Sequence, residues 1–223
     1  MGPYPKIQSV YKRYTDGPNK GKFIIGDWSL SEFEYLKDLL WVWKEKVDGT
    51  NIRVQYYGAS DKVHVKPIIF VRGKTDKAQR IEPLYSTVEK MFPVEWFQEH
   101  FDPGMDICLY GEGYGAGIQK GGKYRPDKSF ILFDIKIGHW WLKNDEIAEI
   151  ARIGSIEHIS AAYQYSLWNA IERVKEGEMI STWGDFKMEG LVGQPLIPLN
   201  MRNGQRIITK IKTKDFVSDR ERK

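Results

Sequence analysis

Cysteine is almost absent. Cys108 is the only one in 223 residues, so no disulfide can form within the chain. It lies in the apolar run Asp106-Ile107-Cys108-Leu109-Tyr110, which reads as a buried strand and not as a nucleophile's setting. Long hydrophobic runs are missing too. No stretch of about 18 apolar residues occurs, so no membrane-spanning helix is expected. The N-terminal MGPYPKIQSVYKRY lacks the apolar core of a signal peptide, and a reducing cytoplasm is the expected compartment. Histidine is sparse: His64, His100, His139 and His158 show no metal-ligand spacing, and no Ser/His/Asp set can be argued from their order. Excess charge of one sign is also lacking. Lys and Arg number 34 against 30 Asp and Glu, a net +4 that permits a polyanionic partner without demanding one. Repeats, low-complexity tracts and an interdomain linker are absent, so a single domain spanning 1–223 is expected.

What is present suits a globular fold. Hydrophobic residues make up 41% of the chain and aromatics 13%, with eight Trp that read mainly as core residues. Ser31 and Glu34 are spaced as a capping box for a short helix through Leu40. Strand-like runs cover Trp41–Val47, Asn51–Tyr57 and Val63–Val71, the last weakened by Pro67 into an edge or bulged strand. Pro83–His100 reads as helix broken near Pro93. Ile107–Gly111 and Ser129–Ile137 read as strands. Asn144 and Ser166 are spaced to cap two further helices, the second ending at Gly177. Gly190–Leu196 and Arg206–Lys212 are strands again, with an Asn203-Gly204 turn between them. Strands mixed irregularly with helices imply an α+β fold with mostly antiparallel sheet and flanking helices.

The segments that can carry chemistry are few. Glu45-Lys46-Val47-Asp48-Gly49-Thr50-Asn51-Ile52-Arg53 places a lysine at a strand end beside an Asp-Gly turn. It is either a nucleophile or the end of an ordinary solvated hairpin. A glycine-rich stretch follows Glu112, with Lys120 and Lys123 in it. Its glycines would let backbone N–H groups approach phosphate, or it is a mobile surface loop. It is neither a dinucleotide fingerprint nor a P-loop. Phe133 could stack on a purine or belong to the core. Glu189 opens an apolar strand, where a carboxylate could hold a divalent cation. Lys210 and Lys212 share a strand face because side chains repeat every two residues. They suit a triphosphate or a solvated edge.

Taken in order, Lys46-x-Asp48-Gly49, Arg72-Gly73, Gly111-Glu112, Phe133-Asp134, Glu189-Gly190 and Lys210-x-Lys212 resemble the six motifs of the covalent nucleotidyltransferase superfamily of polynucleotide ligases and capping enzymes. Within it, Glu45-Lys46-x-x-Gly49-Thr50-Asn51 and Gly-x-Gly-x-Gln-Lys after Glu112 resemble bacteriophage-type ATP-dependent RNA ligases. The resemblance implies an ATP-grasp-like ligase adenylylation fold, with ATP and Mg²⁺ or Mn²⁺ as cofactors. The partner it implies is RNA or nicked nucleic acid with 5′-phosphate and 3′-OH ends, bound by a monomer in the cytoplasm (the host's, for a phage protein).

By the same resemblance Lys46 attacks the α-phosphate, and the backbone around Glu45 and Val47 faces the adenine edge. Phe133 stacks on adenine, Glu112 binds a ribose hydroxyl, and Arg72 contacts a nucleotide or nucleic-acid phosphate. Glu189 holds the metal, and Lys210 and Lys212 neutralise the α-phosphate. Asn51 and Arg53 lie near ribose, phosphate or hydrated metal, and Lys120 and Lys123 are set to contact nucleic acid. The transfer needs an unprotonated amine, in-line positioning and neutralised charge.

Two features depart from the RNA-ligase pattern. Asp48 stands where some such ligases carry His, and Asp there is common in DNA ligases. The chain ends at Lys223, soon after the last motif, so no C-terminal OB or helical accessory domain is expected. The rival readings are a DNA nick ligase, a GTP-using capping-type enzyme, and a nucleic-acid-binding domain without catalysis.

Overall fold

A computed structural model of the chain describes residues 1–58 and 66–216. The order begins β1 (Gln8–Ser9), β2 (Tyr11–Arg13), β3 (Phe23–Trp28), α1 (Ser31–Tyr35), β4 (Leu40–Glu45), β5 (Thr50–Tyr57) and β6 (Ile68–Gly73). It continues α2 (Leu84–Met91), α3 (Val94–His100), β7 (Ile107–Tyr114), β8 (Ser129–Ile137), β9 (Trp140–Trp141) and α4 (Asn144–Ile153). The last elements are β10 (Tyr163–Ser166), α5 (Leu167–Glu176), β11 (Gly190–Pro195) and β12 (Thr209–Lys212). They form two compact units: Met1–Pro5 with Val47–Ser160, and Lys6–Lys46 with Ala161–Lys223. The chain passes from the second unit to the first between Lys46 and Val47.

The first unit is built on an antiparallel sheet in the order β6-β5-β7-β8-β9. Strand alternation divides its side chains between two faces. Ile52, Val54 and Tyr56 of β5 join Ile107 and Leu109 of β7 in a core closed by Leu84 and Val88 of α2, Phe97 of α3, and Ile147 and Ala151 of α4. Each of the Val, Leu, Ile and Phe side chains, fully buried, contributes roughly 1.5–3 kcal/mol. The opposite face is polar. Arg53 pairs in register with Arg72 on β6 and Tyr110 on β7, and Asn51 pairs with Glu112. The N-terminal peptide is tied to the same sheet. Gln55 Nε2 donates to the Met1 carbonyl (2.5 Å) and the Tyr110 hydroxyl donates to the Gly2 carbonyl (2.9 Å).

The second unit carries a sheet in the order β1-β12-β11-β4-β10, antiparallel except for β1 against β12, and a separate β2–β3 pair. Its core gathers Trp41 and Trp43 of β4, Leu191 of β11, Ile211 of β12, and Leu167, Ala170, Ile171 and Val174 of α5. Those four α5 residues follow the i, i+3, i+4, i+7 spacing of one helical face. Ser166 Oγ accepts from the Asn169 N–H (3.1 Å) at the start of α5, and Gly177 ends it with φ +71°.

Most sequence-based elements are where they were expected, and the sheets are mostly antiparallel. The differences have local causes. Ser31 opens α1 as its first residue and gives no capping bond to it, and the helix stops at Tyr35. The α4 start shifts by one residue: the Lys143 N–H donates to Glu146 Oε2 (2.7 Å), so Lys143 and not Asn144 is the cap. β7 runs on to Tyr114, which puts Glu112 inside a strand. β6 begins after Pro67, at the edge of its sheet as proline requires, while positions 63–65 of the expected strand lie outside the described residues. Cys108 is buried, and burial pushes its thiol up to about 11, which removes it as a nucleophile at neutral pH. No helix among the described residues is long and apolar enough to cross a membrane.

Candidate active site

In the second unit, sheet register draws three distant motif residues together. Lys46 follows the last residue of β4, and its N–H donates to the Gly190 carbonyl (2.9 Å). Glu189 precedes β11, and Gly190 lies opposite Lys212 at the end of β12. The result is a lysine–glutamate–lysine bridge. Lys46 Nζ donates to Glu189 Oε2 at 2.7 Å, and Lys212 Nζ meets Oε1 of the same carboxylate at 2.8 Å. The carboxylate is only 13% exposed. Burial alone would raise the Glu189 carboxyl, but the Lys46 charge and hydrogen bonds from both lysines outweigh it and hold the group below its ordinary value. Lys210 lies on the same face of β12 as Lys212, two residues back.

Gly190 makes the close approach possible. Its φ is +155°, and a Cβ there would stand 2.0 Å from the Ile211 carbonyl oxygen and 2.8 Å from Lys212 Cα. Glu45 has a role that its position beside Lys46 does not announce. Its side chain is 2% exposed, and Oε2 accepts from the Thr182 N–H (2.9 Å) and hydroxyl (3.1 Å). Oε1 has no hydrogen-bond partner among the described residues.

In the first unit the candidate residues lie on the polar face of the sheet. Val47 is buried. Gly49 comes so close to β7 that a Cβ would stand 2.3 Å from the Gly113 carbonyl oxygen and 2.7 Å from Glu112 Cγ. That contact is why glycine follows Asp48, and it sets the turn against Glu112. The Asp48 N–H donates to the Tyr124 hydroxyl (3.3 Å). Asn51 Oδ1 is buried without a hydrogen-bond partner among the described residues. Arg53 is fully buried and bridges with Arg72 through Asp76.

Phe133 owes its place to a β-bulge. Tyr110 pairs with Asp134 and Gly111 with Leu132, so Phe133 is the extra residue. The bulge lets Phe133 and Asp134 share the polar face and returns Ile135 to the core. Tyr4 touches both: its ring meets Phe133 edge-on at 5.0 Å and its hydroxyl donates to Asp134 Oδ2 at 2.8 Å. Phe133 is therefore not a core residue, whereas Phe130 is.

The glycine-rich stretch is packed against the unit. Ile118 is buried in the core cluster, and a Cβ on Gly115 would stand 1.9 Å from the Asp127 carbonyl oxygen. A Cβ on Gly121 would likewise collide with the Gly115 backbone, so these two glycines serve close packing of the chain on itself, while Ala116, Gly117, Gln119 and Gly122 are exposed. Lys120 and Lys123 are exposed around a short 3-10 turn, Gly121–Lys123.

The family model for RNA ligase matches residues 39–212, more than three quarters of the chain and every candidate residue from Glu45 to Lys212. The chain belongs to the RNA ligase family. Among solved structures, it is similar to Naegleria gruberi RNA ligase. An apo form of a point mutant matches with TM-score 0.63 at 17% identity, over 96% of this chain and 57% of that one. A second point mutant, with ATP and Mn, matches with TM-score 0.63 at 17% identity, over 96% and 61%. The form with PPi matches with TM-score 0.63 at 18% identity, over 95% and 62%. The chain thus spans about three fifths of the solved chains it matches, with which it shares a fold. A search of curated proteins finds no match.

Some residues of these clusters escaped sequence reasoning. Asp76 had a faint signal, a carboxylate four residues after Arg72. Tyr4 and Thr182 had none, because each reaches its partner from far along the chain, and Asp134, though part of the Phe133-Asp134 motif, gave no sign of its bond from Tyr4.

Proposed function

We propose that the chain is an ATP-dependent RNA ligase that forms a lysyl-AMP intermediate on Lys46. The observation that carries this reading is the Glu189 carboxylate holding Lys46 and Lys212 at 2.7 and 2.8 Å, one oxygen to each. A lysine kept by a half-buried carboxylate beside a second lysine has a defined position, unlike a solvated hairpin end. Lys46, released from Glu189 and unprotonated, attacks the α-phosphate of ATP in line, and pyrophosphate leaves. Lys210 and Lys212 neutralise the charge that grows on the α-phosphate. Phe133 stacks on the adenine, the backbone at Glu45 and Val47 meets its edge, and Glu112 takes a ribose hydroxyl. Asn51 places a buried, unpartnered acceptor beside Glu112, which suits a second ribose donor. AMP then passes to the 5′-phosphate of an RNA end, and a 3′-hydroxyl displaces it to seal the strand. Lys120 and Lys123 supply exposed charge for the RNA backbone.

The residues fit a divalent cation of a particular kind. No group of three or more His, Cys, Asp or Glu gathers among the described residues, so no all-protein cage is built. A lone carboxylate such as Glu189 suits Mg²⁺ or Mn²⁺ that arrives with substrate phosphates and keeps its waters. When bound there, the cation supplies charge stabilisation at the phosphate.

Incubation with α-labelled ATP and Mg²⁺ or Mn²⁺ tests the reading. Label retained on the protein, lost in Lys46→Ala and not replaced by label from GTP, supports it. Equal labelling of Lys46→Ala refutes it. Shifted nicked duplexes without labelling favour a binding domain.

A further inference from the structure

The first unit carries an open groove of about 830 Å³ between the end of α3 and the start of α4. It lies on the core side of the sheet, away from the polar face that holds Phe133 and Glu112. Its floor is apolar. Phe101, Met105, Ile137, Leu142 and Ile150 line it, and each rests on the core only half-buried. Its rim is acidic. Glu99, Asp102, Asp145, Glu146 and Glu149 stand around it, and neither lysine nor arginine lines it. Glu146 accepts the Lys143 N–H and Glu149 is paired with Arg152. Glu99, Asp102 and Asp145 have no ion pair among the described residues. Five carboxylates around one groove run against the charge of the chain, which is net +4.

Trp140 adds an anchor. It pairs with Ile137 across the β8–β9 turn. Directly opposite residues of an antiparallel pair share a face, with Cβ atoms about 4.5–5.5 Å apart. Trp140 therefore stands beside the Ile137 end of the groove, and it is 80% exposed. Its neighbour Trp141 is instead packed against Tyr4 on the opposite face. A half-covered apolar floor with a tryptophan beside it and charges around it has the composition of a protein-docking surface.

Charge selects the occupant. The rim repels the phosphates of RNA and attracts lysine and arginine. We propose that this groove docks a short amphipathic segment of a partner protein, with apolar side chains against Phe101, Met105 and Ile150 and flanking basic side chains against the rim. An amphipathic segment laid in an apolar groove is a recurring mode of recognition, and the ring of Trp140 closes over one end of it. The proposal stands apart from the ligase reading. A segment docked here leaves the polar face of the sheet open to nucleotide.

Binding of the full chain to a synthetic peptide, followed by fluorescence anisotropy, tests the groove. The probe carries leucines at i, i+3, i+4 and i+7 and lysines around them. One comparison peptide has the same residues in scrambled order, and another keeps the leucines and replaces lysine with glutamate. The expected result is that the first peptide alone binds and that Trp140→Ala weakens it about tenfold. Glu99→Lys should weaken it about fivefold. Asp16→Lys, in an exposed turn of the second unit, makes the same change in net charge and should leave binding as it is. No binding of the first peptide, equal binding of either comparison peptide, or equal weakening by Asp16→Lys overturns the proposal. Displacement of the peptide by an oligoribonucleotide also overturns it, as does a wild-type dimer in sedimentation that Trp140→Ala abolishes, which would assign the face to a second copy. Trp140 lies outside the core cluster, and an unchanged melting temperature shows that its variant is folded. If Trp140→Ala does not fold, Glu99→Lys against Asp16→Lys decides: weakening confined to Glu99→Lys supports the groove, and weakening in both or in neither overturns it.

Discussion

Replacing Glu189 with Gln removes the charge that joins Lys46 to Lys212 and nearly preserves shape. The carboxylate receives one short hydrogen bond from each lysine, at 2.7 and 2.8 Å. Charge-assisted bonds of this kind contribute about 1.5–3 kcal/mol each. Glutamine keeps one acceptor but turns an amide donor toward the other ammonium, so one bond is lost and one weakened. Breaking a fully buried pair costs about 3–5 kcal/mol. Here the side chains retain 13–21% exposure, and water softens the loss. About 2 kcal/mol is expected at pH 7, or roughly 4–8 °C in melting temperature for a chain of this size.

The pH dependence gives the sharper test. A carboxyl held below its ordinary value when folded contributes stability that is fully present above the unfolded value, about 4.3. That stability fades as pH falls through the lower folded value. Urea denaturation of wild type and Glu189→Gln should differ at pH 7 and converge in acid. Equal stability at pH 7, or a gap that persists in acid, refutes the bridge as drawn.

Other perturbations have equally definite outcomes. Gly190→Ala places a methyl 2.0 Å from the Ile211 carbonyl oxygen at φ +155°, and backbone strain of about 1–3 kcal/mol should accompany a displaced Lys212. Denaturation reads the first and labelling by ATP the second, and unchanged values of both contradict the packing argument. Gly49→Ala drives a methyl against Gly113 and Glu112, and should raise KM for ATP by about tenfold or more if Glu112 holds the ribose. Phe133→Ala should raise KM for ATP through lost stacking worth about 1–3 kcal/mol. Tyr4→Phe, which keeps the ring against Phe133 and drops the Asp134 bond, should be milder than Tyr4→Ala. Equal effects of the two Tyr4 variants would show that the ring contact at 5.0 Å does not orient Phe133.

Local pattern foretold what local physics decides. The α5 stripe, its Ser166 cap and its Gly177 stop are readable because a helix repeats every few residues and ends by fixed chemistry. Pro67 marked its run as an edge or bulged strand, and β6 is an edge strand among the described residues. Lys46, Glu189 and Lys212 stood out as motifs, but their bridge spans 143 residues between Lys46 and Glu189 and exists only through sheet register. The Phe133 bulge was hidden for a related reason: an extra residue shows only when the partner strand is known. Glu45 looked like an adenine-side neighbour of Lys46, and nothing local revealed that its carboxylate anchors Thr182. Asp76 lay in a polar turn whose sequence gives no hint of a buried arginine reaching it from β5.

The measurement that tests the central claim most directly is covalent transfer of label from α-labelled ATP to the full chain, followed by peptide mapping of the labelled site. The account predicts one acid-labile AMP on Lys46, absent from Lys46→Ala and weakened in Lys212→Ala. Label on another residue, or undiminished labelling of Lys46→Ala, would contradict it.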